Sequence, residues 1–278
     1  MKRVSFSFER VGLIAQNTLR EATRQKLFHF LVFLALALVL SARWFREFNF
    51  GAPELKFLAD FGFGAMAFFG SALTIAATAQ LFFSEIENRT ALTLLAKPVW
   101  RSEFILGKFF GVVVLVGLFC ALLTALLMAV LWTRERELMR EFADAYPADG
   151  HIAYLQVALA GTLQWLKLVI LTALTLVIAS FARSQLFTIV TGFFILVICH
   201  LQSIAQVAYA RSESLLSRAG AQLLSWIFPN FQLFTLADSL DAADAWPWSH
   251  YGRILIYTFG YTTAACALAA VSFRHREI

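Results

Sequence analysis

Charged residues are distributed along this chain in crowded clusters separated by long empty runs. Residues 27–42, 61–84, 109–133, 184–210 and 254–273 carry no charge, and a sixth run, 152–182, is interrupted only by Lys167. About 20 apolar residues carry a helix across the hydrocarbon core of a bilayer. The pattern therefore predicts six transmembrane helices, at 27–44, 61–83, 104–132, 152–182, 185–208 and 253–273. The first is the shortest, and Trp44 and Phe45 extend it into the interface, where aromatic rings are favoured. The expected fold is all-α and polytopic, one transmembrane unit with no internal soluble domain. No cleavable signal peptide is expected, because the first apolar run begins only at Leu27, after a long polar leader.

Composition agrees with the pattern. The 278 residues are 60% hydrophobic and 15% charged, against about 45–50% and 25% for soluble domains. A soluble globular enzyme is excluded. So is disorder, since 29 Phe and 7 Trp supply ample burial. Three cysteines cannot frame a chain of this size with disulfides. The net charge of +5 carries little meaning until it is divided between the two sides of the membrane. With the N-terminus inside, the inner segments hold 13 Lys and Arg and the outer loops eight, while acids number six inside and twelve outside. The excess of basic residues places both termini in the cytoplasm. No nucleic acid partner is implied.

The segments between the spans carry the remaining information. Residues 10–26 form an amphipathic helix: Val11, Ile14, Ala15, Thr18, Leu19 and Ala22 share one arc, and Arg10, Gln16, Asn17, Arg20, Glu21 and Arg24 the other. Such a helix is expected to lie in the headgroup plane with its apolar face down. Arg10, Arg20, Arg24 and Lys26 would then face anionic lipid. The same helix can also serve as an elbow that packs on a cytoplasmic partner. Residues 84–101 mix acids and bases more densely than a turn requires. Their first part is helix-compatible, Pro98 forces Lys97 out of the α region, and Trp100 and Arg101 mark the return to the interface. Composition alone would also allow a solvated connector.

Three pieces of this segment are specific: Glu85-Ile86-Glu87-Asn88-Arg89-Thr90, then Leu94-Leu95-Ala96-Lys97-Pro98-Val99 with Arg101, then Phe104 with Gly107-Lys108. Together they resemble the cytoplasmic signature of ABC-2 type transporter permeases, in the group that includes the membrane components of Nos-type and gliding-motility-type systems. Three further stretches resemble family elements: the basic leader at 20–26, Phe228-Pro229-Asn230 as the extracellular Pro-Asn element, and the closing helix 257–273 with its basic tail. Arg89 departs from the pattern, since many members carry Gly before the Thr, and it suggests a subfamily.

The resemblance implies a coupling helix within residues 85–97 that docks into a groove on a separate ATP-binding subunit. The coupling positions would be Glu85, Glu87, Arg89, Thr90, Lys97, Pro98 and Arg101, with Glu85, Glu87 and Arg89 as contacts and Pro98 as a fixed bend. The chain itself would bind no cofactor and no metal. ATP and Mg would sit on the partner, and a second permease copy, identical or similar, would complete a dimer in a bacterial inner membrane. Export is expected over import. A membrane scaffold without transport remains an alternative. So does a secondary transporter, although that class needs intramembrane charges or broken helices that these spans nearly lack.

Several residues only imitate sites of chemistry. Gly107-Lys108 ends like a phosphate-binding loop, but Ser102 stands where the first Gly belongs and Phe109 replaces the Ser or Thr that holds magnesium. Asn88-Arg89-Thr90 is a glycosylation sequon on the cytoplasmic side and is discarded. Cys199-His200 lacks the further ligands a metal needs, and Cys120, Cys199 and Cys266 read as small apolar fillers. Lys167, Gln164 and His200 are candidates for the lining of a translocation path. If the membrane section begins at Leu163, however, Lys167 lies near the outer end and can snorkel to the interface. Residues 133–151 read as a solvated outer helical cap. The outer segment 209–252 holds Pro229 and Asn230, an amphipathic stretch that can re-enter the outer leaflet, and the interfacial anchor Trp246-Pro247-Trp248.

Overall fold

The computed structural model describes residues 6–44, 54–87, 100–141, 152–210, 227–235 and 248–274, together with Gly220 and Gln222. Within them the chain forms seven α-helices, two short 3₁₀ turns and no strand. In order these are α1 (Phe8–Thr23), α2 (Lys26–Ser41) with the turn Ala42–Trp44, α3 (Glu54–Glu87), α4 (Arg101–Glu141), α5 (Tyr154–Phe181), α6 (Gln185–Ala210), the turn Phe231–Phe234, and α7 (Trp248–Arg274). Helices α3 to α7 are each long and apolar enough to cross a membrane. A sixth candidate arises if α1 and α2, bent by 68° at their junction, are taken as one broken span. Helix α2 has 16 residues, about 24 Å of helix, and its 3₁₀ turn adds about 6 Å. The first span expected at 27–44 falls on this helix, which reaches the length of a span only together with α1.

Helix α5 is buried along nearly its whole length and packs against α3, α4, α6 and α7. Trp165 donates its indole N–H to the Val113 carbonyl at 3.1 Å, and the Thr162 and Tyr251 hydroxyls meet at 2.9 Å, fastening α5 to α4 and α7. By contrast α6 and α7 turn large apolar side chains outward, among them Phe187, Phe194, Ile204, Ile256 and Phe259. In water such faces would be a liability; in lipid they are the ordinary surface. Buried hydroxyls obey the same solvent. Thr74, Thr78, Thr172 and Thr175 each donate to the carbonyl four residues back on their own helix, at 2.6–2.8 Å.

Charged side chains gather at the two ends of the bundle. One end, here the base, joins α1, the close of α3, the start of α4 and the close of α7. The other, the head, joins the start of α3, the far end of α4 and the start of α5. At the head Arg134 grips Glu54 at 2.7 and 3.1 Å and Glu137 at 2.9 Å. Its neighbour Glu135 accepts from the Ile152 N–H at 3.0 Å and from the Tyr154 hydroxyl. This corrects the expectation of a solvated cap at 133–151. Residues 133–141 continue α4 without a break, because the run Arg134-Glu135-Arg136-Glu137-Leu138 consists of strong helix formers. Arg134, Glu135 and Leu138 are buried. Residues 142–151 lie outside the described residues.

A second correction concerns α1. Its apolar arc is turned onto α4 and away from lipid. A Cβ added at Gly107 would stand 2.5 Å from Ile14 Cβ, and one at Gly111 would stand 2.6 Å from Thr18 Cβ and 2.9 Å from the Ala15 carbonyl. The two glycines lie one turn apart and let the helix backbones approach as small residues do in membrane helix pairs. Val11, Thr18 and Ala22 are buried in consequence. The Gly107 that looked like part of a phosphate loop is a packing glycine. Gly111→Val should therefore destabilise the protein by about 1–3 kcal/mol. Gly260→Ala, with nothing within 4 Å of its added methyl, should be neutral or stabilising by up to ~1 kcal/mol; thermal unfolding in a neutral detergent checks both.

Candidate functional site

The base is built around two carboxylates. Glu103, in the first turn of α4, is fully buried. It accepts from the Trp100 N–H at 3.0 Å, so it caps its own helix. It also accepts from the Ser7 N–H at 2.7 Å, and from the Arg10 guanidinium at 2.6 and 3.0 Å. That hydrogen bond raises the already high pKa of Arg10 further. Glu21, three turns further along α1, accepts from the Ser84 hydroxyl of α3 at 2.8 Å and lies 3.9 Å from the buried Lys108 ammonium of α4. Lys108 stands 5.8 Å from the centre of the Phe104 ring. Phe104 in turn stacks on Phe273 at 5.6 Å, with Phe82 edge-on to Phe273 at the same distance. Arg101 closes the arrangement by donating to the last carbonyls of α7, those of Phe273 and Arg274, at 3.0 and 2.7 Å. Four helices are thus bound to one another where the chain leaves α3 and re-enters at α4.

Nearer the head, polar groups line a cup of about 250 Å³ between α3, α5, α6 and the 3₁₀ turn Phe231–Phe234. Gln164 and Lys167 come from α5, His200 from α6, Asp60 from α3, and Gln232 and Thr235 from the turn and its cap. Asn230 builds that turn. Its side-chain oxygen accepts from the Gln232 N–H at 2.9 Å, and its own N–H donates to the Tyr257 hydroxyl at 2.8 Å. Phe231 and Phe234 are driven fully into the bundle, and Phe231 meets His200 edge-to-face at 5.4 Å. Pro229, just before, precedes the turn without contributing a described contact.

The residues singled out in the sequence are divided between these places. Lys167, Gln164 and His200 come together in the cup. Lys167 does not snorkel: it sits at the midpoint of α5 and is only 3% exposed, which corrects its placement near an outer helix end. Arg10 does not face lipid but pairs with Glu103, whereas Arg20, Arg24 and Lys26 are exposed. Arg101 is turned inward to α7. Glu85 and Glu87 end α3, and their side chains lie outside the described set. Arg89, Thr90, Lys97 and Pro98 lie outside the described residues altogether. Cys120, Cys199 and Cys266 are buried free thiols. Sequence reasoning missed Glu103, Lys108, Glu21 and Asp60. The one available signal was their position beside or within apolar runs, where a charge needs a partner.

A bundle of long apolar helices, lipid-faced outside and pinned by polar groups at both ends, defines a polytopic helical membrane protein. The chain belongs to the ABC-2 family of transporter proteins, whose family model matches residues 8–278. It is therefore a permease component of an ABC transporter, a class that works with an ABC ATPase subunit. A comparison with curated proteins finds no match.

Glu103→Gln removes the counter-charge of Arg10 and should weaken the docking of α1. A hydrogen bond to a charged group contributes about 1.5–3 kcal/mol. Hydrogen exchange of residues 8–23 should accordingly quicken about 10- to 100-fold, while exposed Glu9→Gln leaves it unchanged. Equal exchange in Glu103→Gln and wild type would show that the glycine packing alone holds α1.

Proposed function

We propose that residues 84–101 form the coupling element through which a cytoplasmic ATPase subunit drives this permease, and that the base is the cytoplasmic end. The carrying observation is the convergence at the base. The segment leaves α3 beside Ser84 and enters α4 at Glu103, and both positions are tied to α1 through Glu21 and Arg10. A push on the segment is delivered to α1, α3, α4 and, through Arg101, α7 together. Glu85, Glu87 and Arg89 are the contacts to the ATPase, Thr90 and Lys97 belong to the same coupling segment, Pro98 is the bend, and Arg101 holds the re-entry point.

In this reading ATP and Mg stay on the partner, and ATP-driven closure moves the base. Two permease copies, identical or similar, enclose the path in a bacterial inner membrane with both termini in the cytoplasm, and the direction is outward. The direction rests on family analogy; the sidedness rests on the excess of basic residues in the base-side segments. Lys167, Gln164 and His200 line part of the path.

The test is to purify the tagged chain with its native ATPase partner. Arg89→Glu should lower the ATPase recovered with the chain by about 10-fold or more, corresponding to about 1.4 kcal/mol or more, together with the vanadate-sensitive hydrolysis that co-purifies. Lys167→Met should leave recovery unchanged. Undiminished recovery and hydrolysis in both Arg89→Glu and Glu87→Arg would sink the assignment of the segment.

A further inference from the structure

Among the described residues the other buried charges have partners: Arg134 has Glu54, Glu103 has Arg10, and Lys108 has Glu21. Lys167 is the exception. It is buried at mid-helix, and no ion pair or hydrogen bond joins its ammonium to another of the described residues. An unpaired ammonium at membrane depth is costly, and intramembrane ionisable groups mark ligand or ion pathways by default. One turn earlier on the same face, the Gln164 side-chain oxygen is buried and also lacks a partner. Both open into the cup rather than into packed side chains.

The cup's shape fits a ligand. Its volume of about 250 Å³ is several times the ~30 Å³ share of one water. Its floor holds the buried Lys167 and Gln164, while Asp60, Gln232 and Thr235 at the rim are exposed. His200 donates its Nδ1–H to the Leu196 carbonyl at 2.9 Å, which leaves Nε2 as the ring nitrogen able to meet a ligand. A cation at the bottom calls for an anion. A carboxylate at the rim disfavours multiply charged ones, since like charges there would repel.

We propose that the cup is a binding site for a singly charged oxyanion, a carboxylate or phosphodiester group, with the Lys167 ammonium as its counter-charge and Gln164 and His200 as neighbouring hydrogen-bonding groups. The proposal deepens the reading of these three residues as path-lining, and it rests on that reading only for its role in transport. Binding is measured on the isolated permease, so its failure leaves the ATPase-coupling assignment standing, and the reverse holds too.

The experiment follows thermal unfolding of the full chain in a neutral, phosphate-free detergent. One arm titrates sodium acetate against sodium chloride of equal ionic strength. The other titrates dioleoylphosphatidylglycerol against dioleoylglycerol, which lacks the phosphodiester. A saturable rise of roughly 2–4 °C in the midpoint is expected, the size that ligand linkage gives a chain this long. A rise in the acetate arm identifies a soluble ligand class, and a rise only with phosphatidylglycerol identifies a lipid headgroup. Lys167→Met should abolish the rise and, without any probe, melt at or above wild type because an unpaired buried charge is gone. Gln164→Leu should weaken the response. The proposal is overturned if neither arm shifts wild type, or if Lys167→Met responds as wild type does. It is equally overturned if Lys167→Met melts cooperatively below wild type without probe, since the ammonium would then already have a counter-charge.

Discussion

Hydrocarbon offers a charged or polar group nothing to bond with except protein, and the arrangement of this molecule follows from that constraint. Apart from Lys167, the buried charges among the described residues are drawn to the two ends of the bundle and bonded there: Arg10 to Glu103 and Glu21 to Ser84 at the base, Arg134 to Glu54 at the head. Between the ends the helices hold together by apolar packing, by glycines that admit a neighbour, and by hydroxyls that bond their own backbone. The energy of each polar link is modest, about 0.5–3 kcal/mol. Breaking one inside the membrane is nevertheless expensive, because the orphaned group has no water to turn to.

The same constraint explains why α1 belongs to the bundle. An amphipathic helix with this pattern could float on the membrane surface, but its Ile14 and Thr18 pack closely onto Gly107 and Gly111 of α4. Arg10 and Glu21 then have partners that are fixed in place. The result is a corner in which α1, α3, α4 and α7 are bonded to one another, and residues 88–99 connect two of its members. In the proposed coupling by a separate ATPase, such a corner would turn a local push into the movement of several helices. The cup around Lys167 lies away from it, closed on one side by the turn that Asn230 caps. A displacement that began at the base would reach the cup through α3 and α5, both of which line it.

Much of the fold was legible in the sequence. Charge-free runs longer than a bilayer is thick marked helices α3 to α7, and the mixed-charge segment 84–101 carried the resemblance that the family match over residues 8–278 bears out. The misreadings share one cause. Arg10, Arg134 and Glu135 were each assigned to water or lipid headgroups on their chemistry alone. Each instead faces protein: Glu103 lies 93 positions from Arg10, and Glu54 lies 80 from Arg134. Nothing local announces a partner at that distance.

The sequence by itself determined the class: apolar runs of membrane length, their number to within one, and the family. These are properties of single segments, because a helix in lipid must satisfy its own backbone and its length is set by the bilayer. Only the tertiary structure decided which charges are paired, that Gly107 is a contact rather than a loop, and that Gln164, Lys167 and His200 share one cup. Those are relations between segments, and they depend on how closely the helices approach and at what register, which no single segment encodes.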